Sequence, residues 1–197
     1  MTSGQPQQLV TGVILAGGQS RRMGRDKAQL IWQGQPLWQH LAEIVAPQVA
    51  EVMISYNGDP QVIVDRYPHF VDSVAGHQGP LAGVATALER IQTPWLFTAP
   101  VDVPLLPGDV VASLWQVVME KNVRGVSASS LMQKHGTISL WHRDLLSHLQ
   151  KVLAEGRCGV HAFQKAHAFE VVDFPVQEGA PDPFTNLNTP EELSLLS

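Results

Sequence analysis

The feature that most constrains this chain is a strand-like stretch followed by a helix-like stretch, repeated along much of its length. Leu9 to Leu15 is apolar and β-branched, as a buried strand requires, and Pro36 to Val45 then places Leu37, Leu41, Ile44 and Val45 on one helical face. Val49 to Tyr56 reads as a second strand and Phe70-Val71 as a short third one. Leu81, Val84, Ala85, Leu88 and Ile91 define a second amphipathic helix. Pro94 to Val101 is a compact apolar strand, and Val110 to Met119 a third helix. The later stretches, Arg124 to Ala128, Thr137 to Trp141, Leu145 to Leu153 and Ala168 to Phe174, mix strands and helices less regularly. Such alternation implies an α/β fold, a mostly parallel twisted sheet with helices on both faces. In such sheets ligands bind at the carboxyl ends of the strands, here the loops after Leu15, Tyr56, Val71 and Val101.

The 197 residues fit one domain, expected over 9–197 after a loose polar tail over 1–8. No apolar run approaches the roughly 20 residues that cross a bilayer. The start carries no secretory signal pattern, so a cytoplasmic protein with no membrane association is expected. One cysteine, Cys158, excludes an intrachain disulfide, and it reads as a small packing residue. The net charge of −5 argues against nucleic-acid binding through a general basic surface. Any bound anion is therefore handled locally.

The first loop does so. In Leu15-Ala-Gly-Gly-Gln-Ser-Arg-Arg-Met-Gly-Arg-Asp-Lys27, Gly17 and Gly18 follow a buried strand, where backbone N–H groups can approach a phosphate without Cβ interference. Arg21, Arg22, Arg25 and Lys27 put four of the chain's 13 basic residues into one short window. The pattern is neither Gly-x-x-x-x-Gly-Lys-Ser/Thr nor G-x-G-x-x-G, which disfavours P-loop ATPase and dehydrogenase readings. Asp102, in Pro100-Val-Asp-Val-Pro104, is a carboxylate between two prolines at a strand end. That suits a rigidly presented Mg²⁺ ligand; the alternative is a cap on the turn or the following helix.

Together, Leu15-Ala-Gly-Gly18, Ser20-Arg-Arg-Met-Gly24 and Asp26-Lys27 resemble the signature of the MobA-type molybdenum cofactor guanylyltransferases. The resemblance covers nearly the whole chain and implies a Rossmann-like nucleotidyltransferase domain. It makes Asp102 the metal-binding aspartate, and Asp72 and Asn57 nucleotide contacts. Ser55-Tyr-Asn57 stands where the family tends to read Asn-Ala-Asn, so Ser55 is a departure at a nucleotide-binding position. Gly79-Pro-Leu-Ala-Gly83 matches the family and reads equally well as a Pro-initiated helix start. In the tail Phe184 to Leu193, Thr189, Pro190 and Glu192 form a capping pattern, while Asn186 and Asn188 border the acceptor site by resemblance. His135-Gly-Thr137 replaces a more usual His-Pro-Thr and adds His135 to the acceptor side. The remaining histidines, His40, His77 and His148 among them, lack metal spacing, and Trp32, Trp38 and Trp115 read as core.

The implied activity is Mg²⁺-dependent transfer of GMP from GTP to the phosphate of molybdopterin, with release of pyrophosphate. Arg22, Lys27 and Asp102 carry the catalysis. The nucleotide site is Leu15, Ala16, Gly17, Gly18, Lys27, Ser55, Asn57, Asp72 and Asp102, with the backbone of residues 15–17 reading guanine. Similar cytidylyltransferases have Ala where Gly17 stands, so Gly17→Ala is expected to crowd a purine. The nucleophile is already an anion, so no Ser-His-Asp base is required. Implied partners beyond the substrates are other molybdenum-cofactor biosynthesis proteins and the chaperones of recipient molybdoenzymes. Two competing readings share the same loop: a related enzyme using CTP or another phosphorylated acceptor, and a nucleotide-binding regulator without catalysis.

Overall fold

The fold is built on the strand β1, Val10–Leu15, whose apolar side chains alternate between two cores. The computed structural model describes residues 4–17, 27–63, 66–72, 79–157 and 159–187. One helical turn, α1 (Pro6–Leu9), precedes β1, with Pro6 buried and the Gly4 carbonyl accepting from Trp115 Nε1 at 3.3 Å. From Gly4 onward, then, the stretch expected as a loose tail is packed against the domain. After β1 come a small hairpin of β2 (Ile31–Trp32) and β3 (Gln35–Pro36), helix α2 (Leu37–Val45), β4 (Glu51–Ser55), β5 (His69–Phe70), α3 (Pro80–Arg90) and β6 (Trp95–Pro100). The remainder is α4 (Val110–Lys121), β7 (Gly125–Ser130), β8 (Gln133–His142), α5 (Leu146–Ala154), α6 (Val160–Ala166) and β9 (Glu170–Asp173). Every expected helix and strand is present, with ends shifted by a few residues; α6 and the β2–β3 hairpin were not anticipated.

The main sheet has seven strands in the order β5-β4-β1-β6-β8-β7-β9. Pairing is parallel except for β8, which runs antiparallel to both neighbours. Helices cover both faces. On one side α2 and α4 pack Leu37, Trp38, Leu41, Leu114 and Trp115 against Ile14, Ile54 and Phe97. On the other, α3, α5 and α6 pack Leu81, Leu88, Leu149 and Phe163 against Val13, Leu96 and Trp141. Trp32, Trp38 and Trp115 are all buried, as a packing role requires. No helix among the described residues is long and apolar enough to cross a membrane.

Two irregularities shape the carboxyl edge of the sheet. β8 pairs with β6 from His142 to Ser139 and with β7 over the same stretch, then slips so that Ala128 faces His135 and residues 136–138 have no β7 partner. This bulge is tied from inside. The Gly136 carbonyl accepts from Ser139 Oγ at 2.9 Å and from the buried Gln164 Nε2 at 2.8 Å, and the Thr137 carbonyl accepts from Thr98 Oγ1 at 2.8 Å. A Cβ on Gly136 would lie 2.7 Å from Val160 Cγ1, so any side chain at this position would press against α6. Bulges of this kind can re-aim side chains, and His135 is the β8 residue where pairing with β7 resumes.

The second irregularity is the turn joining β7 to β8. Leu131 and Met132 have φ of 46° and 64°, a two-residue turn of type I′ made without Asn or Gly, and both side chains are exposed. Left-handed backbone costs a branched or bulky residue roughly 1–2 kcal/mol. Replacing the pair by Asn-Gly (Leu131→Asn, Met132→Gly) is expected to raise stability by roughly 1–2 kcal/mol, read as a higher urea midpoint at unchanged slope. An unchanged midpoint would mean that the turn carries no strain.

Candidate active site

β1 lies between β4 and β6, and that order gathers the site. Leu15 pairs with Ser55 on one side and with Pro100 on the other, and the ladder continues one step beyond each strand. The Ala16 N–H donates to the Ser55 carbonyl at 2.8 Å, and the Val101 N–H to the Leu15 carbonyl at 3.1 Å. Tyr56 N–H meets the Phe70 carbonyl at 2.9 Å, bringing the end of β5 alongside. Gly17, Asn57, Asp72 and Asp102 thus leave the sheet at one edge, from four different loops.

Asp102 and Lys27 meet there. Lys27 Nζ lies 2.8 Å from Asp102 Oδ2, and each side chain is 19% exposed. Lys27 opens a short 3₁₀ turn, Lys27–Gln29, that leads into the β2–β3 hairpin. Residues 75 apart in sequence therefore form one charge pair, shielded enough for its attraction to exceed that of an exposed surface pair. Asp102 caps no helix: α4 begins after Asp109. Its own carbonyl accepts from Leu187 N–H at 2.8 Å, which docks the C-terminal segment onto the metal-site candidate.

Asp72 is held differently, by neutral donors. Ser55 Oγ donates to its Oδ1 at 2.8 Å and Asn57 Nδ2 to its Oδ2 at 2.9 Å, while the Asp72 N–H donates to Asn57 Oδ1 at 2.9 Å. Asn57 Nδ2 also reaches the Gly17 carbonyl at 3.3 Å. Ser55 is buried and faces Asp72, whereas Asn57 is exposed. Gly17 needs its missing side chain: a Cβ there would lie 2.6 Å from Asn57 Nδ2 and 3.5 Å from Asp72 Oδ2. Gly83 on α3 packs under the same group, where a Cβ would stand 3.4 Å from Asp72 Oδ1.

Further along the edge, the ends of β7 and β8 meet the C-terminal segment. Ser130 Oγ lies 2.7 Å from His135 Nε2 and donates to Asp182 Oδ2 at 2.8 Å. Asp182 Oδ1 accepts from the Phe184 N–H at 2.9 Å. The Phe184 ring packs on His135 at 4.8 Å and on Phe174 at 5.1 Å. Burial pushes the His135 pKa below its usual range; the Asp182 charge opposes this and His161 adds to it. These are the residue types of a hydrolytic triad in a different order. Serine is in the middle, with its hydroxyl hydrogen directed at the carboxylate and not at the imidazole, so it is not activated as a nucleophile.

The residues named from sequence therefore separate into groups. Leu15, Ala16, Gly17, Lys27, Ser55, Asn57, Asp72 and Asp102 converge on one part of the edge. His135 lies on the neighbouring part, and Asn186 is exposed beside Leu187, whose N–H is bonded to Asp102. Gly18, Arg22, Asn188 and His77 lie outside the described residues, as do Cys158 and the capping pattern at Thr189. His40 is structural, its Nε2 lying 2.9 Å from the Pro104 carbonyl, and His148 stacks on His167 at 4.9 Å. Ser130 and Asp182 were missed, whereas Gly83, in the Gly79–Gly83 segment singled out from sequence, packs under Asp72. Asp182 had a signal: Pro181-Asp182-Pro183 brackets a carboxylate with prolines much as Pro100 to Pro104 does.

Residues 12–170 match the MobA-like NTP transferase domain family. A molybdenum cofactor guanylyltransferase of Pasteurella multocida is 38% identical over 181 residues, 90% of this chain and 94% of the relative. One from Yersinia pseudotuberculosis is 36% identical over 191 residues, covering 96% and 95%. Among solved structures, molybdopterin-guanine dinucleotide biosynthesis protein A of Archaeoglobus fulgidus superposes with a TM-score of 0.71 at 20% identity, over 94% of this chain and 96% of that one. The 4-diphosphocytidyl-2C-methyl-D-erythritol synthase of Anaerococcus prevotii reaches 0.74 at 11% identity, over 96% and 95%. These structural likenesses establish the nucleotidyltransferase fold.

The Gly17–Asn57 contact gives a direct test of this half of the site. Gly17→Ala is expected to push Asn57 off Asp72 and weaken GTP binding about tenfold by calorimetry, with Asn57→Ala causing a similar loss. Because both changes break one cluster, the double variant should lose little more than either alone. Fully additive losses would place the two residues in separate roles.

Proposed function

We infer the reaction from the premise that this chain belongs to the MobA-like NTP transferase family. We propose that it is a molybdenum cofactor guanylyltransferase: it transfers GMP from GTP to the terminal phosphate of molybdopterin and releases pyrophosphate. The observation that carries the reading is the convergence of Lys27 and Asp102, 2.8 Å apart, beside Gly17, Asn57 and Asp72 at one carboxyl edge. An acceptor phosphate oxygen forms the new bond to the α-phosphorus of GTP. The bond from that phosphorus to the bridging oxygen of the β-phosphate breaks, and its electron pair leaves with pyrophosphate.

The residues fit a magnesium ion that draws most of its ligands from phosphate and water. Asp102 offers a hard oxygen, and among the described residues no group of three or more His, Cys, Asp or Glu forms a cage for a metal. Asp102 is the residue that would hold Mg²⁺, which when bound supplies positive charge to the phosphate oxygens. Lys27 is paired with Asp102, and beside a triphosphate its ammonium would offset charge that builds up as pyrophosphate departs. Arg22, by its place in the loop, is assigned to that same charge. Alignment and charge neutralisation are the whole catalytic task, since the nucleophile needs no base.

Guanine is read by the backbone after β1. The Ala16 N–H is engaged by Ser55 and the Gly17 carbonyl by Asn57. With the Ala16 N–H committed, recognition falls to the Ala16 carbonyl and the backbone groups of Gly17, acceptors and a donor that complement the pairing edge of guanine.

Incubation with GTP, Mg²⁺ and molybdopterin, followed by mass analysis, is expected to give the guanine dinucleotide and pyrophosphate, with CTP a poor substitute. Lys27→Ala is expected to lower turnover by roughly 10²–10³, by analogy with loss of one preorganised donor to a developing charge. GTP binding without pyrophosphate release in the presence of molybdopterin would overturn the assignment, and near-normal turnover in the Lys27 variant would displace the chemistry from this lysine.

A further inference from the structure

The contacts among Ser130, His135 and Asp182 fix where one proton lies. A serine hydroxyl has a single hydrogen to donate. Asp182 Oδ2 is 2.8 Å from Ser130 Oγ, and a carboxylate has none to give, so the Ser130 hydrogen is on that bond. The 2.7 Å contact between Ser130 Oγ and His135 Nε2 is then a hydrogen bond only if the imidazole donates through Nε2–H. Asp182 cannot readily swing away to release this arrangement, since its other oxygen receives the Phe184 N–H at 2.9 Å.

Burial favours the neutral ring, and a neutral ring protonated at Nε2 has Nδ1 as a hydrogen-bond acceptor. Phosphate oxygens are acceptors as well and cannot pair with it. The partner such an atom selects is an N–H or O–H donor. On the reading given above, the acceptor substrate brings both chemistries: a phosphate, and a heterocycle with ring N–H groups and an exocyclic amine.

We propose that Ser130 and Asp182 are positioning residues that lock His135 as the Nε2–H tautomer, and that His135 Nδ1 then accepts an N–H of the acceptor's heterocycle. This rests on the guanylyltransferase assignment and deepens it, by giving His135 the ring of the acceptor and not its phosphate. The same chain of bonds joins the β7 and β8 ends to the segment whose Leu187 N–H is bonded to Asp102, so ring recognition and the reacting centre share a support.

The test uses the whole protein with ¹⁵N-labelled histidine. The His135 signals, assigned by their disappearance in His135→Gln, are expected to show a protonated Nε2 and an unprotonated Nδ1 without ligand. Added molybdopterin should shift the Nδ1 signal upfield as it accepts a hydrogen bond. His135→Gln places an amide N–H near Nε2, keeping the link to Ser130 while deleting the Nδ1 acceptor. It is expected to raise the KM for molybdopterin about tenfold with the KM for GTP within about twofold. Ser130→Ala should release the tautomer and give part of the same loss. A protonated Nδ1, an Nδ1 signal unmoved by molybdopterin, or an unchanged molybdopterin KM in His135→Gln overturns the proposal. These outcomes count against it alone when the wild type makes guanylylated product; if the wild type makes none, the parent assignment falls first.

Discussion

The placement of β1 between β4 and β6 is the constraint on which the site depends. Parallel pairing on both sides fixes Leu15 against Ser55 and Pro100, so the loops that follow must leave the sheet together. Gly17, Asn57 and Asp102 each lie two residues beyond the end of their strand, where that alignment still holds. A one-residue slip of β1 would exchange its two faces, moving Ile14 out of one core and Val13 out of the other. Core packing on both faces thereby enforces the alignment that the chemistry needs.

The two aspartates at this edge show how environment divides roles between identical side chains. Asp72 receives neutral donors from Ser55 and Asn57 and packs beside Gly17. Asp102 receives a cation. An ion pair can change partners without leaving a buried group unsatisfied, provided that another cation takes the vacated place. In an acidic chain this local balance, not net charge, decides what the edge attracts.

Much of the fold was legible because β1, α2, β4, α3, β6 and α4 have strong apolar periodicity, and the strand-end rule then located Gly17, Asn57, Asp72 and Asp102. Other parts were hidden for identifiable reasons. α6 is short, and its buried Gln164 serves a bulge that no local pattern announces. The turn at Leu131-Met132 lacks the Asn or Gly that marks such turns, so β8 was expected to begin at Thr137 and not at Gln133. His135 was recognised only by resemblance, because its setting is assembled from Ser130 and Asp182, a neighbour close in the chain and one far from it.

The reversed direction of β8 has a consequence for which part of the edge tolerates substitution. Every other strand of the main sheet presents its last residues at the ligand edge; β8 presents its first. The nucleotide half is confined by parallel strands, whose spacing a crossover helix must respect. The β7–β8 end is a hairpin separated from β1 by β6, so its turn can change composition without altering the pairing of β1. Substitutions in that hairpin can therefore leave the alignment of β1 with β4 and β6 intact.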